Sequence, residues 1–359
     1  MHEDLHELIE LSRDWGGRPG FALAGGGNTS VKTADRLWVK ASGHRLATID
    51  GRGFVELDRG ALEAMLDAGD WPGDVTAREA LFVERVMAAR VDPAAGRPSV
   101  EALLHHLLPG RFVVHTHPTA VNALTCCVRG EALAAEALGD AALWQPYVDP
   151  GLTLALDLRR RLDNKAGALV LMENHGLIVS GEDAGAIEDA TGGLLDALPV
   201  GDATGFGGDP LPADRRSLEE VCAAVRGLPD SRAAVPFATP AVRALCATIG
   251  GREAALAGPL TPDQIVYCGS FPGWLESGGS VEAALGEGVR ILLMAGRGGV
   301  AVHDAEAQAR TAAEVYADAA EVALGAHGLG GVQAMTDAQR VFIERWEVES
   351  YRRSIAARD

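Results

Sequence analysis

Two histidines spaced i, i+2, His115 and His117, close the apolar run Phe112-Val113-Val114. Successive strand side chains alternate faces, so on a strand both imidazoles project to one side, about 6.6 Å apart along the backbone. That arrangement suits a shared metal ion held about 2.0–2.1 Å from each nitrogen. A strand-end pair with no ligand has the same spacing, so the company of the motif has to decide. Two histidines need a third ligand to make a site that keeps an open position, and His175 qualifies. It ends a strand, and Gly176 beside it permits close backbone approach. Three neutral imidazoles leave the full charge of a divalent ion available as a Lewis acid. Glu101 enters the same neighbourhood one short helix before His115. A carboxylate beside a polarised carbonyl is what proton abstraction at an α-carbon, or its reverse, requires. A carboxylate favoured only by the positive end of a helix would occupy the same position.

A glycine loop, Gly25-Gly26-Gly27-Asn28, supplies a second kind of chemistry. Backbone N–H groups converge where no side chain blocks them, which makes such a loop an anion cradle or, alternatively, a plain hairpin turn. No Gly-Lys-Ser/Thr follows it, and Gly-x-Gly-x-x-Gly is absent, so neither a nucleotide P-loop nor a dinucleotide fingerprint is present. Ser42, Gly43 and Ser99 add small donors that could hold a phosphate without a cation. The other histidines fit a site less well. His2 and His6 fall in the opening helix, His44 in a loop, and His303 and His327 in the far half. His105 and His106 lie in the helix that contains Glu101, where the surface is expected for both and a core-facing position for one is the alternative.

The elements that must position these groups follow from periodicity. Residues 3–14 carry Leu5, Leu8, Ile9 and Leu11 at helical spacing. The glycine loop runs into a short strand to Lys32, with Leu37–Lys40 as its partner, ended by Ala41-Ser42-Gly43. Residues 78–91 read as helix. Pro98-Ser99 starts another, with Glu101 in its first turn, and Pro109-Gly110 stops it before the His115 strand. The strand Ala168–Met172 leads to Glu173-Asn174-His175-Gly176, β character continues through Leu177-Ile178-Val179, and a helix of small residues runs to about Leu198. Residues 199–214, dense in Gly, Pro and Asp, read as a linker between a domain over 1–198 and a folded region over 215–359.

A short echo joins the two halves. Leu171–Val179 aligns with Leu293–Ala301, each ahead of an alanine-rich helix, and Arg297 stands where the first copy has His175. Chance recurrence of strand, glycine turn, strand and helix gives the same pattern. If it is a partial repeat, residues 215–359 are a metal-free version of the first domain.

Composition bounds the partners. At 359 residues the chain should form one large domain or two. With 32 Lys and Arg against 50 Asp and Glu, the net charge of −18 argues against nucleic acid or an anionic membrane as partner. An anionic substrate must therefore be captured locally. Five cysteines with no Cys-x-x-Cys read as reduced thiols of a cytoplasmic protein. The acidic start is not a signal peptide, and no apolar window is long enough to span a bilayer.

Taken in order, Gly-Gly-Asn-Thr-Ser-Val (26–31), a strand ending Ser42-Gly43, Ser99-Val100-Glu101, His115-Thr116-His117-Pro118 and Asn174-His175-Gly176 resemble the class II aldolase/adducin family over roughly residues 5–198. Trp38–Gly43, Pro98–Glu101 and Arg111–His117 look closest to the aldolase portion of bacterial rhamnulose-1-phosphate aldolase/short-chain dehydrogenase proteins. Phe342–Glu349 resembles a stretch near the end of that portion, and nothing matches the dehydrogenase half. The resemblance implies an α/β fold with a central, mainly antiparallel sheet flanked by helices, in a homo-oligomer, usually a tetramer. It implies that His115, His117 and His175 bind Zn2+ or another divalent ion such as Mn2+, Co2+ or Fe2+. Glu101 would be the acid/base residue, and Gly27, Asn28, Ser42, Gly43 and Ser99 would hold the phosphate of a small phosphorylated sugar. The reaction implied is cleavage of a ketose 1-phosphate of the rhamnulose or fuculose type to dihydroxyacetone phosphate and an aldehyde, through a metal-stabilised enediolate. Epimerisation at C4 of a pentose phosphate, dehydration, decarboxylation and a non-catalytic adducin-like module are the alternatives. Two positions depart from the family pattern. Val100 stands where a second phosphate-binding serine is common, and Tyr147 is the nearest counterpart of the tyrosine that assists as an acid.

Overall fold

The computed structural model describes residues 3–162, 169–199, 201, 214–229 and 232–346. These residues form two compact units, the first comprising residues 1–118 and 134–198 and the second residues 119–133 and 199–359. The boundary at 198 falls where the Pro/Gly/Asp-rich stretch begins, but the expected continuous 1–198 domain is interrupted. Residues 119–133 cluster with the second unit. Most of the 199–214 stretch, Ala168 and residues 347–349 lie outside the described residues.

The first unit is built on a seven-stranded sheet of β1 (Asn28–Lys32), β2 (Arg36–Lys40), β3 (Phe54–Asp58), β4 (Phe112–Thr116), β5 (Leu143–Gln145), β6 (Leu169–Met172) and β7 (Gly176–Gly181). Its order is β3-β2-β1-β4-β7-β6-β5, and every pair is antiparallel except β5–β6. This is the mainly antiparallel α/β sheet expected from the resemblance. Strand alternation divides its faces. Leu37, Val39, Val55, Leu57, Val113, Val170 and Ile178 join one apolar core with α2 (Arg59–Asp67), α3 (Val75–Ala88), α4 (Ala102–Leu107) and α7 (Leu152–Leu162). From the other side α1 (Glu3–Gly17) packs on β1 and β4, where Ser12 and Thr29 hydroxyls meet at 2.6 Å, and α8 (Ala184–Ala197) packs on β7. Helix α3 begins three residues before the start expected at 78, because the Asp74 carboxylate caps the Ala77 N–H.

The second unit holds a four-stranded sheet of β8 (Ala233–Phe237), β9 (Gly273–Leu275), β10 (Ile291–Met294) and β11 (Gly298–His303), in the order β8-β11-β10-β9. Helix α9 (Arg215–Arg226) shares an apolar core with one face, with α13 (Val281–Ala284) packed beside it. The long α14 (Glu306–Gly328) packs on β8 and β11, and also against α5 (Thr119–Thr125), α10 (Pro240–Ala247) and α12 (Pro262–Cys268). This packing explains why residues after Pro118 leave the first unit: Gly325 of α14 leaves room for Ala123 of α5. Helices α6 (Gly130–Leu138), α11 (Ile249–Ala257) and α15 (Asp337–Arg345) complete the described set. All five cysteines are free and buried, and no helix among the described residues is long and apolar enough to cross a membrane.

Glu79 of α3 gives a stability prediction. It is 5% exposed, and burial raises its carboxyl pKa from 4.5 to about 7, against the opposing effects of the Leu152 N–H and Arg78. A carboxyl whose folded value is raised stabilises the fold while protonated and loses that contribution as pH climbs through about 7. Glu79→Gln is therefore expected to match the parent near pH 4 and to exceed it by about 1–3 kcal/mol near pH 8. Urea unfolding at both pH values checks this. A parent that is the more stable at pH 8 would overturn it.

Candidate active site

The pairing of β1, β4 and β7 brings the chemistry together. His115 lies opposite Asn28 on one side and Ile178 on the other, so all three project from the same sheet face. His117 follows the strand end, its N–H donating to the Phe21 carbonyl at 2.8 Å. His175 sits in the tight turn between β6 and β7, where Asn174 adopts a left-handed φ of 52°. Gly176 closes that turn against β4. A Cβ there would lie 2.6 Å from the Thr116 carbonyl oxygen and 2.8 Å from the His117 ring, so only glycine admits this approach. Gly27 serves the same end from β1, with a φ of 69° and a virtual Cβ 2.7 Å from the His115 carbonyl oxygen.

The three imidazoles converge. Their ligating nitrogens all lie within 4.8 Å of one another, and His115 Nε2 faces His117 Nε2 at 3.0 Å. Nitrogens sharing a tetrahedral ion stand about 3.3 Å apart, so three histidines this close could hold one metal ion. The donor chemistry fits as well. His115 Nδ1–H donates to the Leu177 carbonyl at 2.9 Å, which fixes the tautomer and leaves the Nε2 lone pair for the cluster.

Glu101 caps the N-terminus of α4 without using its side chain as the cap. Its carboxylate turns instead to the histidines, with Oε1 3.4 Å from His175 Nε2 and Oε2 3.6 Å from His115 Nε2. Burial alone would raise its pKa. When His115 and His175 are protonated, their charge, with the Asn28 hydrogen bond, outweighs that and holds it at about 2. The group is therefore an ionised carboxylate.

A buried chain of hydrogen bonds stands behind it. Asn28 Nδ2 donates to Glu101 Oε2 at 2.6 Å, so Asn28 Oδ1 must face His105 Nε2, which donates to it. His105 Nδ1 then accepts from the Ser30 hydroxyl at 2.7 Å. An acceptor-only carboxylate at one end thus fixes the amide orientation, the tautomer and the hydroxyl in sequence. Burial drives the His105 pKa down to about 3, so the ring stays neutral. His105 and His106 are not surface residues as the helix pattern suggested. Both are buried, and His106 bonds Glu63 at 2.8 Å. One signal was available: His105 lies four residues after Glu101, on the same helical face.

The phosphate candidates are also brought near Glu101. Residues 40–42 pair with 97–99, the Ser99 N–H donating to the Lys40 carbonyl at 2.9 Å and the Ser42 N–H to the Arg97 carbonyl at 2.8 Å. Ser99 Oγ accepts from the Glu101 N–H at 3.2 Å, and Gly43 takes a left-handed φ of 91°. A cation that the sequence reading left out supports the glycine loop: the buried Lys40 ammonium donates to the carbonyls of Gly25 at 2.8 Å and Gly27 at 2.6 Å. Tyr147 lies in the loop after β5, its backbone N–H held by the Glu173 carboxylate at 2.7 Å, two residues before His175 in the turn.

The sequence model of the Class II Aldolase and Adducin N-terminal domain matches residues 6–191. Across 99% of its length the chain is 26% identical to the uncharacterized oxidoreductase YuxG of Bacillus subtilis, and it spans 59% of that relative. Among solved structures, the N-terminal class II aldolase domain of a conserved protein from Thermoplasma acidophilum is 30% identical, covering 55% of this chain and 92% of that one, with a TM-score of 0.49. The L-fuculose-1-phosphate aldolase of Thermus thermophilus is 18% identical, covering 55% and 91%, with a TM-score of 0.35.

Proposed function

Since the chain belongs to the class II aldolase and adducin N-terminal domain family, we propose that it is a divalent-metal-dependent aldolase, cleaving a ketose 1-phosphate to dihydroxyacetone phosphate and an aldehyde. The observation that carries this reading is the buried Glu101 carboxylate 3.4–3.6 Å from two of three converging imidazoles. His115, His117 and His175 would hold a divalent ion, Zn2+ or another such as Mn2+, Co2+ or Fe2+, which would supply Lewis-acid charge to acidify a C–H beside a carbonyl. That help matters, because a carboxylate is a weak base toward a C–H on its own. Glu101 takes the proton in the condensation direction and returns it to carbon in cleavage. Asn28 holds Oε2, so that Oε1 is the atom presented to the substrate. Gly27, Asn28, Ser42, Gly43 and Ser99 hold the phosphate. Tyr147 is the candidate for protonating the aldehyde oxygen. In this reading the enzyme is a cytoplasmic homo-oligomer, a tetramer by family pattern.

Metal analysis coupled to release of dihydroxyacetone phosphate from rhamnulose 1-phosphate and fuculose 1-phosphate tests the proposal. About one metal per chain with release abolished by EDTA is the expected result. Metal without release would replace aldol cleavage with epimerisation, dehydration or decarboxylation at the same site. Absence of metal after reconstitution would overturn the reading in favour of a scaffold.

The network behind Glu101 carries its own expectation. His105→Ala removes the donor that orients Asn28, and small misplacements of a reacting group cost up to about 100-fold. A kcat lowered about 10- to 100-fold with KM and metal content unchanged is expected. An unchanged kcat would leave His105 no part in positioning the base.

A further inference from the structure

The echo between the two halves extends well beyond the nine aligned residues. The order β4-β7-β6-β5 in the first unit recurs as β8-β11-β10-β9 in the second, with the same sense at every step: antiparallel, antiparallel, parallel. The registers coincide as well. Val170↔Ile178 and Met172↔Gly176 correspond to Leu292↔Val300 and Met294↔Gly298. Trp144 lies opposite Leu171, and Trp274 opposite Leu293. The same face is apolar in both, with Val113, Val170, Met172 and Ile178 in one core and Ala234, Leu292, Met294 and Val300 in the other. Each β4 or β8 strand is followed by a helix reading Ala-Val-x-Ala-Leu, at 120–124 and 241–245.

The backbone correspondence reaches the metal ligands. Asn174 and Gly296 both have left-handed φ, at 52° and 72°. A Cβ on Gly176 would meet the Thr116 carbonyl oxygen at 2.6 Å, and one on Gly298 would meet the Phe237 carbonyl oxygen at 2.8 Å. That close approach brings the turn carrying the third ligand against the strand end carrying the first two. His115 pairs with Ile178 and Pro236 with Val300, so Pro236 and Ala238 stand in the places of His115 and His117, and Arg297 in that of His175. The acid has a counterpart too. Glu101 caps α4, the helix preceding β4, and lies 3.4 Å from His175. Asp214 caps α9, the helix preceding β8, and lies 3.6 Å from Arg297.

We propose that the second unit is a degenerate copy of the metal-binding half of the first, whose three-histidine centre has been replaced by the Arg297–Asp214 ion pair. This rests on the reading of His115, His117 and His175 as ligands. An arginine keeps a permanent positive charge opposite the acid where an ion stood, so the acid stays paired without metal. A cleft of about 210 Å³ survives beside it, lined by Ser217, Glu220, Ser277, Gly278, Ala295 and Arg297. Among the described residues the chain thus has one centre able to polarise a carbonyl and a second cleft without such a centre.

If the copies share a backbone, the erased centre can be rebuilt. The triple variant P236H/A238H/R297H, titrated with Co2+ in the full chain, is expected to take up about one equivalent more than the parent. It should gain visible absorption of nitrogen-ligated cobalt in proportion, and Co2+ should raise its Tm above the shift seen in the parent. Where the triple variant does not fold, A238H/R297H keeps Pro236 and is expected to show a smaller cobalt-dependent rise in Tm, at higher Co2+ concentration, because it offers two nitrogens in place of three. A folded variant without extra cobalt overturns the proposal. A parent that binds no cobalt beside a variant that binds one would refute the first-site ligands while upholding the copy.

Discussion

Glu101→Gln is expected to lower turnover by about 10²–10⁴-fold while leaving the metal content of the protein unchanged. The carboxylate offers an acceptor on each side: Oε2 takes the Asn28 N–H at 2.6 Å, and Oε1 stands 3.4 Å from His175 Nε2. Glutamine has one oxygen. With that oxygen toward Asn28, its NH2 group turns to the imidazoles and cannot accept a proton from carbon. The reverse orientation sets two amide N–H groups against each other in a buried site, which costs about 1–3 kcal/mol, so the first orientation prevails. The imidazoles keep their own supports, including the His115 bond to the Leu177 carbonyl, so metal binding does not depend on the lost charge. Steady-state kinetics with elemental analysis of the same sample decides the matter. Full activity would remove Glu101 as the base, and loss of metal would make it a ligand.

What could be read in the sequence was what local rules govern. The His-x-His motif predicted a shared face because strand alternation is a local property, and β4 obeys it. The 3.6-residue pattern placed the ends of α1 and α8 within a few residues. The convergence of His175 depended on β7 lying beside β4, a pairing between segments about sixty residues apart. It was legible only because the order of motifs resembled a family. Groups that act through burial were missed. Lys40 reads only as the end of a strand, and its ammonium is enclosed under the glycine loop. Asn28 read as a phosphate residue, and the link its side chain makes between Glu101 and His105 had no local signal. The transfer of residues 119–133 to the second unit had no local signal, since it arises from packing of α5 along α14.

His115→Ala is expected to show the opposite pattern from the glutamine variant, with metal lost first and turnover lost in consequence. His115 is the most deeply set of the three converging histidines, 1% exposed and paired on both sides within the sheet. Its ring joins two functions that alanine cannot divide. Nδ1–H occupies the Leu177 carbonyl, and Nε2 faces His117. Removing it leaves two nitrogens in place of three and a buried carbonyl without its donor, and outer partners alone are worth about 10–100-fold in metal affinity. A loss beyond 100-fold is therefore expected, reducing zinc from about one per chain to a small fraction after dialysis. Unchanged zinc stoichiometry would sink the ligand assignment. The pair of variants separates the two roles: a base that leaves metal behind when removed, and a ligand whose removal takes both.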